Sequence, residues 1–270
     1  MLKLQGRTAV VTGAAAGIGQ GIAMSLAQRG CHLALADIDD TALARAAAAI
    51  AAPGLRISRH HLDVSDAQAI AAFPQLVTAE HAGVDVLVNN AGVALHGSFE
   101  EAAEADFEWL FGINFWGVVR MTRAFLPLLR LRDEARIVNM SSLFGLIAPP
   151  GQTAYAASKF AVRGFSESLR HELAGTHVGV TVVHPGGVAT SIAENARMPQ
   201  SIAAEDAAER RKLFQSYLTL SPATAGEIIV RGIEHRKPRV LVGSDAKRIA
   251  LIERLIPVSY WSLLGAALKK

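Results

Sequence analysis

Three side chains with complementary chemistry lie close together between residues 142 and 159. Tyr155 and Lys159 are four residues apart in a stretch whose composition predicts a helix. Residues at i and i+4 share one face of a helix, so the phenol and the ammonium would project side by side. A phenol has an ordinary pKa of about 10, and a nearby cation lowers it. Ser142 ends an apolar run that predicts a buried strand, so its hydroxyl would reach the same substrate oxygen as Tyr155. The set suits acid/base chemistry on a carbonyl/alcohol couple.

The surrounding elements must decide between a catalytic pair and an ordinary helix with a half-buried tyrosine and a solvated lysine. Short apolar runs alternate with helical patterns along most of the chain, which is typical of βαβ units and a parallel sheet. We therefore expect an α/β protein with a single-domain Rossmann fold over residues 1–270. Its doubly wound parallel sheet of about seven strands is expected to be flanked by helices. The predicted strands are 8–12, 32–36, 55–62, 84–88, 135–140, 178–183 and 239–242.

The first predicted strand, 8–12, is followed at once by Gly13, Gly17 and Gly19 and then by a helix. A glycine turn at a helix N-terminus presents free backbone N–H groups and the positive end of the helix dipole to a phosphate. Gly13 would permit the tight turn, Gly17 the close approach to a pyrophosphate, and Gly19 the packing of helix on strand. Because the glycines follow a strand, dinucleotide binding is favoured over a merely flexible loop.

Asp37 ends the second predicted strand, about 20 residues after the glycines, where a carboxylate accepts hydrogen bonds from an adenosine ribose. The same charge would repel a 2′-phosphate, and no Lys or Arg occupies residues 14–16 or 38–40 to offset it. NAD(H) is therefore favoured over NADP(H), which stays the alternative. Asp37 has a second interpretation as the N-cap of the helix predicted over residues 42–52.

Further motifs follow the carboxyl ends of the later strands. The amides of Asn89 and Asn90 are placed to tie neighbouring strands together, while Gly92 leaves room for a flat ring. Asn114 lies within a helix predicted over residues 103–132, where the poor helix propensity of asparagine predicts a kink or a bound water. Open α/β sheets bind ligands at the carboxyl ends of their strands, so these motifs are expected to converge. Two more segments belong to the same edge: residues 63–64 and residues 184–190.

Composition and charge exclude several classes of protein. A single cysteine, Cys31, leaves no disulfide framework and no cysteine-rich metal site. The net charge is +3, but from residue 231 onward nine Lys or Arg stand against three acids, whereas the rest of the chain carries eighteen against twenty-one. The basic excess belongs to the tail, so no nucleic-acid partner is expected. No apolar run reaches the roughly 18 residues of a membrane span and no secretory signal is predicted, so a cytoplasmic protein is expected.

The chain resembles the short-chain dehydrogenase/reductase family over roughly residues 5–243. As a set, the motifs that carry the resemblance are highly specific, because they share the family's order and spacing. They are Gly13-x-x-x-Gly17-x-Gly19, Asn89-Asn90-Ala91-Gly92, Asn114, Ser142, Tyr155-x-x-x-Lys159 and Pro185-Gly186-x-Val188-x-Thr190.

The resemblance implies a role for each motif. Tyr155 would be the general acid/base, and Lys159 would lower its pKa and bind the nicotinamide ribose. Ser142 would orient the substrate carbonyl, and Asn114 would position a water that links Lys159 to solvent. Thr190 and the Val188 backbone would hold the carboxamide. The catalytic set is then Asn114, Ser142, Tyr155 and Lys159. The cofactor-binding set is Gly13, Ala16, Gly17, Ile18, Gly19, Asp37, Ile38, Asp63, Val64, Asn90, Ala91, Gly92, Tyr155, Lys159, Pro185, Gly186, Val188 and Thr190. The substrate set is Ser142, Phe144, Tyr155, Gly187 and Ile192.

We therefore expect an oxidoreductase that transfers hydride between NAD(H) and a secondary alcohol or ketone. The competing interpretations are the same chemistry with NADP(H) and a dinucleotide-binding regulatory protein without turnover. His96 is either a substrate contact or a loop histidine. An apolar or bulky substrate is expected, since no cation fit to grip a carboxylate is evident among the predicted pocket residues. These are Leu143, Phe144, Leu146, Ile147, Ile192, Met198 and Phe214.

Two segments beyond the motifs carry further predictions. Residues 191–220 look helical and amphipathic, and would form a substrate lid that is either mobile or a fixed helix pair. Residues 244–270 form a C-terminal extension whose apolar stripe would pack against a partner subunit or, less expectedly, touch a membrane surface. A homodimer through helices 103–132 and 153–174 or a homotetramer is expected.

Overall fold

A sheet of seven parallel strands forms the centre of the molecule. The computed structural model describes residues 1–268, and the side chains of residues 1–265. The strands are β1 (Thr8–Thr12), β2 (His32–Asp37), β3 (Ile57–His61), β4 (Val86–Asn89), β5 (Ala135–Met140), β6 (Val178–Pro185) and β7 (Arg239–Val242). Their order in the sheet is β3-β2-β1-β4-β5-β6-β7. Because β1 and β4 are neighbours in space but not in sequence, the winding reverses between them, which confirms the predicted Rossmann fold.

Helices cover both faces of the sheet, as the near-continuous burial of its strands requires. One face carries a core that includes Ile22, Leu26 and Ile229. The other face carries a core around Phe73 and Phe125, whose rings meet edge to face at 5.4 Å. The helices are α1 (Gly17–Ala27), α2 (Asp40–Ile50), α3 (Ala67–Glu80), α4 (Glu104–Phe111), α5 (Val118–Leu129), α6 (Thr153–Glu172), α7 (Ala204–Ser216), α8 (Pro222–Glu234), α9 (Ser244–Leu255) and α10 (Tyr260–Leu268).

The helix predicted over residues 103–132 is interrupted. A single π-helical stretch, Gly112–Gly117, separates α4 from α5 and contains Asn114. The π turn accommodates hydrogen bonds that the Asn114 side chain makes to neighbouring elements, and π-bulges of this kind are frequent at functional sites. At the position where asparagine predicts a kink or a bound water, the structure has a widened π turn.

The helical segment predicted over residues 191–220 is wrong in extent and in character. Only α7 is helical, and Ala207 is its one buried residue. Residues 191–203 form turns instead, because the backbone of Arg197 pairs with the loop at residues 94–96, and Pro199 disfavours a continuous helix. The predicted helix pair is thus one exposed helix preceded by an irregular segment.

The C-terminal extension packs beside the segment that follows β5. Leu143, Leu146 and Ile147 are buried against Ala246 of α9, together with the half-buried Tyr260 of α10. They belong to a different apolar cluster from the one that contains Tyr155, and Phe144 packs against both clusters. Residues 269–270 of the predicted extension lie outside the described residues. Within the described part of the chain, no helix combines the length and apolar character that crossing a membrane requires.

Candidate active site

Tyr155 and Lys159 lie on one buried face of α6, as their spacing predicts. The Nζ atom of Lys159 is 5.6 Å from the centroid of the Tyr155 ring. It donates a hydrogen bond of 3.2 Å to the carbonyl oxygen of Met140, the last residue of β5. The hydroxyl of Ser141 donates to the carbonyl of Lys159 at 2.9 Å. These two bonds fix α6 against the carboxyl end of the central strands.

Burial controls the protonation of both side chains. It raises the pKa of Tyr155 to about 12, and the opposing effect of a hydrogen bond with Ser142 is smaller. It lowers the pKa of Lys159 from 10.5 to about 8. Removing water disfavours the charged form of each group, so the phenol is held neutral and the ammonium is destabilised. The pKa of Tyr155 is raised, whereas the proximity of Lys159 predicts that it is lowered. The spacing of two residues in the sequence indicates how close they are but not how far they are removed from water.

Ser142 follows β5 and its side chain lies close to the phenol of Tyr155. It caps a short 3₁₀ turn, Leu143–Gly145, and its Oγ accepts a hydrogen bond of 3.1 Å from the backbone N–H of Phe144. Its carbonyl accepts a 2.9 Å hydrogen bond from Nδ1 of the buried His184 at the end of β6. The ends of β5 and β6 therefore hold the Ser142 backbone in place, while its hydroxyl influences Tyr155.

Asn114 is fully buried, and its side-chain amide hydrogen-bonds to the loop at Val93 and to Ser158 of α6. Its Oδ1 accepts from the N–H of Val93 at 2.9 Å, and its Nδ2 donates to the carbonyl of Val93 and to Oγ of Ser158. A Cβ atom on Gly92 would lie 3.0 Å from this Oδ1 and 3.3 Å from Nζ of Lys159. Asn114, Gly92 and Lys159 therefore border one space next to α6.

The glycine turn after β1 has the backbone that the motif requires. Gly13 has φ +62° and Gly17 has φ +57°, values that side chains with a Cβ rarely adopt. A Cβ on Gly17 would lie 3.0 Å from Cγ2 of Thr190, so the missing side chain keeps that approach open. Ala16 and Ile18 flank Gly17 with partly exposed positions at the start of α1.

Gly19 has a different function in the same turn. A Cβ there would lie 2.0 Å from the carbonyl oxygen of Gly13, so only glycine allows α1 to pack this closely on the turn. Gly13 and Gly17 therefore supply the positive φ angles of the turn, whereas Gly19 allows the close packing of α1 against it.

Asp37 at the end of β2 receives two backbone hydrogen bonds. Its Oδ2 accepts from the N–H of Ala15 at 2.9 Å and its Oδ1 accepts from the N–H of Asp39 at 3.1 Å. The N-cap of α2 is Asp39, whose side chain accepts from Ala42. The interpretation of Asp37 as a helix cap is therefore wrong, and its carboxylate faces the glycine turn.

Three further predicted residues, Ile38, Asp63 and Val64, follow the ends of β2 and β3. Ile38, directly after Asp37, is 61% exposed. Asp63 accepts hydrogen bonds from the backbone and the hydroxyl of Ser65, while Val64 is buried against Gly117 of the π turn. They are placed where an adenine could lie against the end of β3.

The amides after β4 tie neighbouring strands together, which confirms the prediction for this motif. Asn89 donates to the side chain of Asn139 on β5 at 2.8 Å. Asn90 donates to the carbonyls of Thr12 and Gly13 at 3.0 Å each. The N–H of Ala91 donates to the Thr12 hydroxyl at 3.1 Å. The β4 loop is therefore locked against the glycine turn.

The segment after β6 is held by a carboxylate that sequence reasoning missed. Pro185 ends the strand, and Asp245 of α9 accepts a 2.7 Å hydrogen bond from the N–H of Gly187. A Cβ on Gly186 would clash with the same carboxylate. Val188 is buried beyond the turn. Asp245 lies in the C-terminal extension, and no local pattern in the sequence marks it.

Apolar side chains, among them the ring of Phe144, pack near the ring of Tyr155. Phe144 meets the Tyr155 ring edge to face at 6.1 Å, and Ile192 packs against the same cluster. Phe214 of α7 lies 6.4 Å from Phe144 and 4.5 Å from the ring of His96, which is buried. These residues form an apolar approach to Tyr155 beneath α7.

Comparison with known proteins places these features in a family. A family model described as short chain dehydrogenase matches residues 7–201. The protein SadH of Mycobacterium tuberculosis is 41% identical over 273 residues, covering 100% of this chain and 98% of that protein. The oxidoreductase UcpA of Escherichia coli K12 is 39% identical over 212 residues, which cover 76% of this chain and 80% of the UcpA chain.

Solved structures agree with the fold. A short chain dehydrogenase/reductase of Burkholderia phymatum, solved in complex with NAD, is similar with a TM-score of 0.87 at 30% identity. The similarity covers 94% of this chain and 95% of that one. A short-chain dehydrogenase of Streptomyces avermitilis gives a TM-score of 0.83 at 32% identity, covering 97% and 99%.

Proposed function

This chain belongs to the short-chain dehydrogenase/reductase family of oxidoreductases, and from that premise we propose that it transfers hydride between NAD(H) and a secondary alcohol or ketone. Tyr155 is the proposed general acid/base. The observation that carries the proposal is the buried pair Tyr155 and Lys159, with the half-buried Ser142 beside it, at the carboxyl end of β5. The NAD bound to the structurally similar Burkholderia protein supports the choice of cofactor.

The residues around the turn fit a dinucleotide. The positive-φ glycines and the open approach between Gly17 and Thr190 form a cradle that a Cβ would fill. Backbone N–H groups at the start of α1 would hold the pyrophosphate, and Asp37 would accept from the adenosine ribose. Bound there, the nicotinamide supplies the hydride donor or acceptor. The rest of the predicted set would line the ring and adenine ends: Ala16, Ile18, Gly19, Ile38, Asp63, Val64, Asn90, Ala91, Gly92, Lys159, Pro185, Gly186 and Val188.

The chain's own contribution is the movement of a proton. With its pKa raised to about 12, Tyr155 is a neutral phenol that can donate its proton to a carbonyl oxygen as that oxygen gains charge. The Ser142 hydroxyl lowers the pKa of Tyr155 by less than burial raises it, and would orient the same oxygen. In the oxidative direction the phenolate must accept a proton, so the positive charge of Lys159 helps that direction most.

We assign Asn114 a positioning role, since it holds the loop at Val93 against α6.

The apolar surroundings favour a ketone or alcohol with a substantial hydrocarbon part. Phe144, Ile192 and Phe214 provide the surface, and Gly187 contributes backbone at its edge. The carboxylate of Asp37, flanked by Asp39 and Asp40, favours NAD(H) over NADP(H) because a 2′-phosphate would meet like charges there.

The test is turnover of NADH and NADPH, measured in parallel against apolar ketones that include bulky cyclic ones. We expect turnover with NADH, and a loss of at least about 100-fold in kcat for Tyr155→Phe while NADH binding is unchanged. Retained activity in Tyr155→Phe would remove the catalytic assignment. NADH binding without turnover of any ketone would favour the regulatory interpretation.

We also propose a homodimer through α4, α5 and α6. The support is a set of aromatic side chains left on this face, among them Trp116 at 49% exposure and Phe160 at 38%. Light scattering on the purified protein should give twice the monomer mass, and Trp116→Glu should reduce it. A monomeric mass for the native chain would reject this interface.

A further inference from the structure

Two buried nitrogen atoms beneath α7 have no hydrogen-bond partner in the part of the chain that the structure describes. They are Nε2 of His96 and Nε of Arg211. His96 is 7% exposed, and its ring packs edge-on against Phe214. Arg211 and Phe214 are three residues apart on α7, so they share the face that covers His96. Buried polar atoms are nearly always paired in proteins, so two orphans in one place need an explanation.

Both orphan atoms are donors. The amide nitrogen of Gln152 contacts Nδ1 of His96, so Nδ1 accepts and the ring proton of the neutral imidazole lies on Nε2. Burial, reinforced by the charges of Arg211 and Arg210, lowers the pKa of His96 to about 4, which keeps the ring neutral. A guanidinium carries only donors, and Nη2 of Arg211 donates to the carbonyl of Ala196 at 3.2 Å.

Arg211 differs from its neighbour in having no acidic partner. Arg210 makes a bidentate ion pair with Glu101, both bonds 3.1 Å long. Arg211 makes no ion pair with any described residue, although it is half-buried. A half-buried cation beside a neutral donor, without a counter-charge, is an arrangement that favours binding of an anion.

The two donors lie on the substrate side of the site. Gln152, which holds His96, begins the turn that leads into α6 and precedes Tyr155 by three residues. Phe214 links the ring of His96 to Phe144, and Phe144 contacts the Tyr155 ring. The donors are therefore separated from the reacting phenol by an apolar stretch of two aromatic rings.

We propose that Arg211 and His96 bind a carboxylate of the substrate, so that the substrate is an oxo acid or hydroxy acid. An apolar skeleton would lie along Phe144 and Phe214 and separate the carboxylate from the carbon that exchanges hydride. The inference rests on the proposed function and narrows its substrate class. A carboxylate oxygen pair satisfies both orphan donors and neutralises Arg211, which an uncharged ketone cannot do.

The experiment compares straight-chain methyl-ketone acids of increasing length with their methyl esters, using NADH and the full-length protein. For the best length, we expect kcat/KM of the acid to exceed that of the ester by about 10- to 100-fold. Arg211→Met should remove most of this advantage by raising KM for the acid more than KM for the ester. His96→Phe keeps a ring in contact with Phe214 and should remove a smaller part of the kcat/KM advantage of the acid over the ester. Lys212→Met is the control, since it removes one charge from an exposed position on the same helix.

Equal kcat/KM for acids and esters, or an acid preference that survives in Arg211→Met, would overturn the assignment of the carboxylate site. Turnover of esters would leave the proposed function intact in that case. If neither acids nor esters turn over, the proposed function fails, and calorimetric titration of the same acids into the protein tests the site by itself. Binding that Arg211→Met abolishes supports the site, and no binding of any acid to the native protein rejects it.

Discussion

Lys159→Met is predicted to make the protein more stable. Burial lowers the pKa of Lys159 from 10.5 to about 8, so the ammonium is more costly in the folded than in the unfolded chain. A shift of this size corresponds to about 3 kcal/mol at pH 7, where the side chain is charged in both states. Methionine has a similar length and carries no charge, so Lys159→Met should regain about 2 kcal/mol after the loss of the hydrogen bond to Met140.

The predicted stability gain of Lys159→Met depends on pH, because Lys159 loses its proton at a lower pH in the folded than in the unfolded chain. Below pH 8, Lys159 binds a proton in both states and its full cost is present. Between about pH 8 and 10.5 the folded state has released the proton that the unfolded state keeps. The unfolded state then binds more protons, and the stability of the native protein rises with pH. The advantage of Lys159→Met should therefore shrink by about 2 kcal/mol between pH 7 and 9.5.

Urea unfolding of both proteins across this pH range measures the difference. Titrations at other sites cancel, because the two proteins share them. Lys212→Met is the matched control, since that side chain is exposed and should show no such pH-dependent gain. A less stable Lys159→Met at pH 7, or a difference that stays constant with pH, would refute the claim that burial destabilises this ammonium.

Three further substitutions test other parts of the site. Asp37→Ala should raise kcat/KM for NADPH relative to NADH at least about 10-fold in initial-rate assays; an unchanged ratio would remove Asp37 from cofactor selection. Gly17→Ala forces a side chain into φ +57° beside Thr190, and should cost about 1–2 kcal/mol in urea unfolding and weaken NADH binding in fluorescence titrations. Wild-type values for both would show that the turn tolerates a Cβ. Arg210→Met breaks the exposed pair with Glu101. It should leave Tm unchanged but raise KM for ketones, and an unchanged KM would mean that the pair does not hold α7 over the site.

The fold was predictable because its strands are short, buried and bounded by glycines, prolines or charges. The predicted bounds of β1, β5 and β7 agree with the structure. The failures lie where tertiary contacts override a local pattern. Residues 191–203 have helical composition, yet the backbone of Arg197 finds its partners in the loop at residues 94–96. No periodicity in the sequence records such a long-range pairing.

The motifs of the site were predictable in position but not in electrostatics. The spacing of Tyr155 and Lys159 fixes a common helix face, which the structure contains. It does not report that both side chains are buried, and burial alone reverses the expected direction of the Tyr155 pKa. The phenol is therefore neutral at pH 7, and a lower pKa would need an additional positive charge close to the ring.

The polar groups that sequence reasoning missed share one property: their partners are far away in the chain. Asp245 holds the turn at Gly187, and Gln152 holds His96, without any motif that joins the two members of either pair. Motif residues are recognisable because they recur at fixed short spacings within one segment, as Tyr155 and Lys159 do on α6. Residues that shape a substrate site act through side chains brought together by the fold. Arg211 is identifiable only because no acidic side chain among the described residues pairs with it. For this reason the shared motifs point to the chemistry, whereas the unmatched donors of His96 and Arg211 point to what distinguishes this chain's substrate.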